Sequence, residues 1–246
     1  MHVRIRRTRA GHGRRTGAGA CAILLFLWII PVLVGAQQMP SPPSATVSPA
    51  RTPRAAPLSA AQDLDSFAQA WASIAAYSAT VTVFERKGTQ VENLVLNYSF
   101  RRPSSVMVHV VSGPNAGGTL TWDGGATVVA RRGTGLAALF KKTFSIHDPV
   151  VATIRGSSID QLSFGAILAQ AQQSGGTLSE AGSDVIDGVA TDAVALVPAD
   201  PAADAGLSRE VVDLSEVTHL PVRVLGFDET TLVREIDFSK VAVGSV

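Results

Sequence analysis

Between Val91 and Arg102 the chain alternates. Leu94, Leu96, Tyr98 and Phe100 are apolar at even positions, while Asn93, Asn97, Ser99 and Arg101 are polar or charged at odd ones. A period of two marks a strand with one covered and one solvated face, so the chain is confined to architectures in which long strands are half buried. Arg102 falls on the apolar parity. A guanidinium held against an apolar surface needs a carbonyl or carboxylate partner, so Arg102 is expected to reach one inside the fold or at its rim, with Glu85 and Glu92 the nearby acids. Pro103 ends the strand, because it has no N–H to offer a central ladder.

The flanking sequence extends this pattern into an α+β chain that is mainly β. Ser59 and Gln62 form a capping-box pair, and Leu64, Phe67, Trp71 and Ile74 recur at helical spacing, which predicts an amphipathic helix from Ser59 to about Tyr77. Strands are expected at Ala79–Arg86, Val91–Arg102, Val106–Val111, Thr119–Trp122 and Thr127–Arg131, with turns at Gly113–Gly118 and Asp123-Gly124. Ser158 and Gln161 predict a second helix running to Gln173 and closed by Gly175-Gly176. Further strands follow at Ala190–Val197, Arg209–Leu214, Pro221–Phe227 and Thr231–Phe238.

The N-terminus reads as an export signal. Residues 1–36 hold six arginines and no acid, then the apolar run Ala18–Val34 and a small-x-small ending at Ala36, the three-part layout of a secretory leader cleaved after Ala36. The apolar core, interrupted by Pro31, is shorter than the roughly 20 residues a spanning helix needs; an uncleaved N-terminal anchor is the alternative. Cys21 precedes the apolar core and is the single cysteine, so a cleaved chain would depend on no disulfide. Residues 37–58 are rich in Pro, Ser and Ala without hydrophobic period, the composition of an unfolded tether. The working domain is expected at 59–246.

Charge and spacing exclude several functions. Without the arginines of the leader, 15 basic side chains face 20 acidic ones, and Gly156–Val246 holds 4 basic against 14 acidic. A nucleic-acid binder would need a net basic face. His109, His147 and His219 lie far apart, with no metal-ligand spacing, and no serine occupies a nucleophile elbow. The Asp-rich stretches Asp184–Asp192 and Asp200–Asp204 flank Gly and Pro as turn residues do. No catalytic residue, metal or cofactor is expected.

The strand ending in Arg101-Arg102-Pro103, the Asp123-Gly124 turn after Thr121-Trp122, and the segment VVDLSEVTHLPVRV at Val211–Val224 together resemble the LolA/LolB-like superfamily of exported lipid and lipoprotein carriers. Phe144–Gln170 is similar to the mid-region of an exported LolA-like family of unknown function. The resemblance covers nearly all of 59–246. It implies a half-open antiparallel β-barrel whose concave cavity is covered by the N-terminal amphipathic helix and the mid-chain helix. Leu94, Leu96, Tyr98, Phe100, Leu120 and Trp122 would line the cavity. Arg102 would bond to a lid helix carrying Phe67, Trp71 and Ile74, although the same apolar stripe also serves as plain core. The ligand would be a lipid or acylated lipoprotein, received from an inner-membrane donor or passed to an outer-membrane acceptor by a monomer in the periplasm or cell envelope. The alternative is a sensory or interaction module in envelope regulation.

Overall fold

The computed structural model describes residues 59–133, 140–202 and 204–244. The predicted leader (1–36) and tether (37–58) lie outside the described residues. Helix α1 (Ala60–Ala72) starts where expected: Ser59 Oγ accepts from the Gln62 amide, and the Gln62 side chain accepts in return from the Ser59 amide. It ends five residues earlier than its apolar spacing predicts. Ala76 and Tyr77 instead belong to β1 (Ala76–Lys87), where they pair with Arg101 and Phe100 of β2 (Gln90–Arg101). Ladder bonds to a neighbouring strand outweigh a local helical period that continues by coincidence.

The chain then meanders through β3 (Ser105–Ser112), β4 (Thr119–Asp123), β5 (Thr127–Arg131) and β6 (Lys141–Ser145). A long connection leads to α2 (Phe164–Gln173), and a second meander follows: β7 (Thr177–Ile186), β8 (Val189–Val197), β9 (Arg209–Ser215), β10 (Pro221–Asp228) and β11 (Thr231–Val243). Strand β11 returns antiparallel to β1, giving one 11-stranded sheet in the order β6-β5-β4-β3-β2-β1-β11-β10-β9-β8-β7. Its edges, β6 and β7, do not pair with each other, so the sheet is a half-open barrel and mainly β, as expected.

Two strands and one helix start escape the sequence pattern. Strand β7 has no apolar alternation, and forms by pairing with β8 around a register shift between Glu180 and Gly182, the latter with a φ of 99°. Strand β6 pairs with β5 through Val128↔Phe144 and Arg131↔Lys141. Helix α2 begins at Phe164 with Ser163 as its N-cap. The predicted cap pair Ser158–Gln161 closes a separate turn, the Ser158 amide donating to Gln161 Oε1 at 3.0 Å.

The core sits on the inner face of the sheet. Val81 and Val83 of β1, Val106 and Val108 of β3, Val194 of β8 and Ile236 of β11 join Phe67 of α1 and Phe164, Ile167 and Leu168 of α2 in one apolar cluster. Helix α1 lies against β7, β8 and α2. The helices therefore cover part of the concavity, and open space remains elsewhere in it.

Candidate functional site

Side chains that alternate across a strand put every second residue on the concave face. On β2, β3 and β4 these include Leu94, Leu96, Val108, Val110 and Leu120, which line a cavity of about 1040 Å³. Phe144 of β6 closes one wall. The facing wall is neither helix. It is the connection from β6 to α2, whose Val150, Val151, Ile159 and Leu162 cover the apolar floor like a strap.

Inward-facing acids hold the strap. Glu85 continues the inner row of Ala79, Val81 and Val83 and is 0 % exposed. It accepts from the Arg155 amide at 3.0 Å and from Ser157 Oγ at 2.7 Å. Glu92, on the inner row of β2, accepts from the Ile154 amide at 3.0 Å. The Arg155 guanidinium donates to the carbonyls of Arg86 (2.9 Å) and Ala205 (2.6 Å), and Tyr98 donates its hydroxyl to the Ile159 carbonyl at 3.3 Å. Four backbone or side-chain donors of a loop thus find acceptors on the β1–β2 hairpin, which is how an irregular segment stays packed over an apolar cavity.

The six residues predicted to line the cavity separate into two groups. Leu94, Leu96 and Leu120 line it. Tyr98 and Phe100 sit further along β2 in an aromatic cluster, where Tyr77 stacks on Phe164 at 4.3 Å, on Phe100 at 5.6 Å and on Tyr98 at 5.9 Å. The Phe164 amide donates to the Tyr77 hydroxyl at 3.2 Å, and burial pushes both phenols above their usual range. Trp122 packs against the core, with its indole N–H donating to the Gly125 carbonyl at 2.6 Å, and does not border the cavity.

The predicted lid residues lie at the aromatic end. Phe67 and Ile74 are buried in the core, and Trp71 packs on Phe100 with ring centroids 5.1 Å apart. Arg102 donates from Nε to the Ile74 carbonyl at 2.6 Å and from a terminal nitrogen to the Trp71 carbonyl at 2.7 Å, with its guanidinium 4.5 Å from the Trp71 ring centroid. It thus caps the carbonyl end of α1, where a cation is favoured. Neither Glu85 nor Glu92 is its partner, both being committed to the strap. The peptide bond from Arg102 to Pro103 is cis.

Sequence reading missed the strap and its anchors, although one signal was present. Glu85 falls on the apolar parity of Ala79, Val81 and Val83, as Arg102 does in β2. A second inner-face pair was also missed: Arg234 bonds to buried Glu210, with Asp204 and Gln170 hydrogen-bonded beside it. Burial raises the Glu210 carboxyl while Arg234 opposes that shift. Among the described residues no group of His, Cys, Asp and Glu is placed to hold a metal ion, and no helix is long and apolar enough to cross a membrane.

No family model matches the sequence, and no curated protein matches it. Solved structures do align. A domain described as an outer-membrane lipoprotein-sorting protein from Vibrio parahaemolyticus is 12 % identical, with 76 % of this chain and 94 % of that one covered and a TM-score of 0.41. The Mycobacterium tuberculosis lipoprotein LppX is 13 % identical over 76 % of this chain and 97 % of its own, with a TM-score of 0.44. MucB from the Pseudomonas aeruginosa MucA/MucB complex is 17 % identical over 76 % of this chain and 57 % of its own, with a TM-score of 0.40. A LolA superfamily protein from Nitrosomonas europaea also aligns, 8 % identical over 77 % of this chain and 96 % of its own, with a TM-score of 0.35.

Proposed function

We propose that residues 59–246 form a non-catalytic binding module that holds the hydrocarbon part of a lipid or of an acylated lipoprotein in the strapped cavity, and carries it within the cell envelope. The observation that supports this is the cavity itself. It has a volume of about 1040 Å³ and is floored by leucines and valines, and among the described residues its ionisable border groups are Glu92, Arg131, Arg132 and Lys142. Burying hydrocarbon contributes about 0.8 kcal/mol per methylene, so ten methylenes supply roughly 8 kcal/mol before the costs of ordering ligand and strap. Export on the predicted leader, with the tether at 37–58 setting the module apart, fits a carrier working between membranes.

Titration of the purified chain with the neutral environment-sensitive dye N-phenyl-1-naphthylamine tests the reading. Saturable enhancement is expected, and Leu94→Trp or Leu120→Trp, which place an indole in the cavity, should weaken it in a protein whose circular dichroism is unchanged. A linear, unsaturable signal from folded protein would remove the carrier reading and leave an interaction module.

A further inference from the structure

The cavity is apolar along its floor, but its rim is basic. The dibasic pairs Arg131-Arg132 and Lys141-Lys142 stand at the adjoining ends of β5 and β6, with Arg131 opposite Lys141 and Ala130 opposite Lys142. Alternation separates the lysines: Ala130, Lys142 and Phe144 line the cavity and Lys141 does not, whereas Arg131 and Arg132, at the end of β5, both border it. Lys142 Nζ lies 4.7 Å from the Phe144 ring centroid, held against the apolar wall. Gly133 packs on Gly117 in the β3–β4 turn, so closely that a Cβ at position 133 would come within 2.9 Å of the Gly117 carbonyl oxygen. That contact places the Arg132 backbone beside the same turn.

The rim lacks compensating charge. The ion pairs seen among the described residues include those of Arg223 with Asp184 and Asp213 and of Arg234 with Glu210, and none of these involves Arg131, Arg132 or Lys142. Among the described residues the one acid bordering the cavity is Glu92, whose carboxyl already accepts the Ile154 amide. The C-terminal half of the protein is strongly acidic, so a local excess of cations at an apolar mouth runs against the chain's overall balance. Uncompensated donors next to hydrocarbon walls complement a molecule with a long chain and negatively charged oxygens at one end.

We propose that the ligand of this cavity is an anionic amphiphile, a hydrocarbon chain ending in a carboxylate or phosphate monoester, with its chain on the leucine floor and its head group between Arg132 and Lys142. This rests on the hydrocarbon-binding reading above and adds the charge of the head group. Both side chains are solvent-exposed at the rim, so the preference should be moderate and salt-dependent.

The experiment displaces N-phenyl-1-naphthylamine from the full chain with four single-chain C12 amphiphiles, each below its micelle threshold: dodecanoate, dodecyl phosphate, dodecyl maltoside and dodecyltrimethylammonium. Both anions should displace the dye at roughly tenfold lower concentration than the maltoside at low salt, the effect of about one charge-assisted hydrogen bond. The cation should be weakest. Half a molar salt should shrink the gap, and inorganic phosphate alone should displace nothing. Arg132→Glu and Lys142→Glu should each remove most of the anion preference while leaving maltoside displacement intact, whereas Lys141→Glu, on the other face, should keep it. A preference for dodecanoate over dodecyl phosphate, or the reverse, identifies which head group the rim fits. Equal displacement by anionic and neutral amphiphiles, or equal loss from Lys142→Glu and Lys141→Glu, would overturn the proposal with the carrier reading intact. Absence of saturable dye binding would overturn both.

Discussion

Glu85 carries the strap, and its removal can be quantified. Its carboxyl, fully buried, accepts one backbone amide and one hydroxyl from a loop more than sixty residues away. Glu85→Ala leaves the Arg155 N–H and the Ser157 O–H without their acceptor, at about 1–3 kcal/mol for each orphaned buried donor. The Ser157 hydroxyl can rotate towards the Thr153 side chain, which already accepts the Ser157 amide at 3.0 Å, so the total belongs near 3 kcal/mol rather than at the upper end. With a urea m-value of about 2 kcal/mol/M, the unfolding midpoint should drop by about 1.5 M. Glu85→Gln keeps one acceptor oxygen and should lose about half as much. Amide hydrogen exchange supplies a local readout, because the Ile154 and Arg155 amides should lose protection in the alanine variant before the β1–β2 ladder does. A midpoint drop below about 0.5 M, or unchanged protection at 154 and 155, would show that the strap is held by its apolar contacts and not by the inward acids.

Three further expectations follow from the geometry. Arg102→Leu removes two hydrogen bonds to the end of α1 and a ring contact with Trp71; because the side chain is exposed, the loss should be about 1 kcal/mol, with faster or slower dye release in stopped-flow mixing, whereas Arg101→Leu on the opposite face should change neither. A Cβ at Gly165 would sit 2.7 Å from the Trp71 ring, so Gly165→Ala should gain helix propensity yet lose about 1–3 kcal/mol to overpacking, read as a net drop in melting temperature with altered near-ultraviolet dichroism. Burial first, and then Glu235, raise the Asp237 carboxyl to about 6. Folding therefore takes up a proton between about pH 4 and 6, and stability declines as pH rises through that window; Asp237→Asn should be more stable than the parent at pH 8 by about 1 kcal/mol once solvent screening is allowed for, with the difference gone at pH 4, and a difference independent of pH would count against the burial argument.

Much of the fold was legible because strands and helix starts announce themselves locally. The alternation from Val91 to Phe100 is the inner and outer face of β2, and Ser59 with Gln62 is the α1 cap. The helix end was not legible, because Ala76 and Tyr77 are decided by partners at Arg101 and Val243, far away in sequence. Strand β7 was equally hidden, since an edge strand with polar residues on both faces carries no period. For the site, the parity of Leu94, Leu96 and Leu120 pointed to the concave face, but it could not say where along that face the helices stop and open volume begins. Tyr98 and Phe100 share the parity of Leu96 and yet both stack on Tyr77, with Phe100 also packed on Trp71.

The sequence by itself determined which residues face inward, that Arg102 and Glu85 would stand as polar groups on apolar rows, and that no metal-ligand or nucleophile spacing is present. Those properties depend on a period of two or on short spacings, which neighbouring residues set between themselves. The tertiary structure alone decided which partner each inward polar group meets: the end of α1 for Arg102, the strap for Glu85 and Glu92. It also decided that Arg132 and Lys142, ten residues apart, share one cavity rim. A hydrogen bond or a shared rim needs a few ångströms of proximity, and only the curvature and closure of the whole sheet supply that.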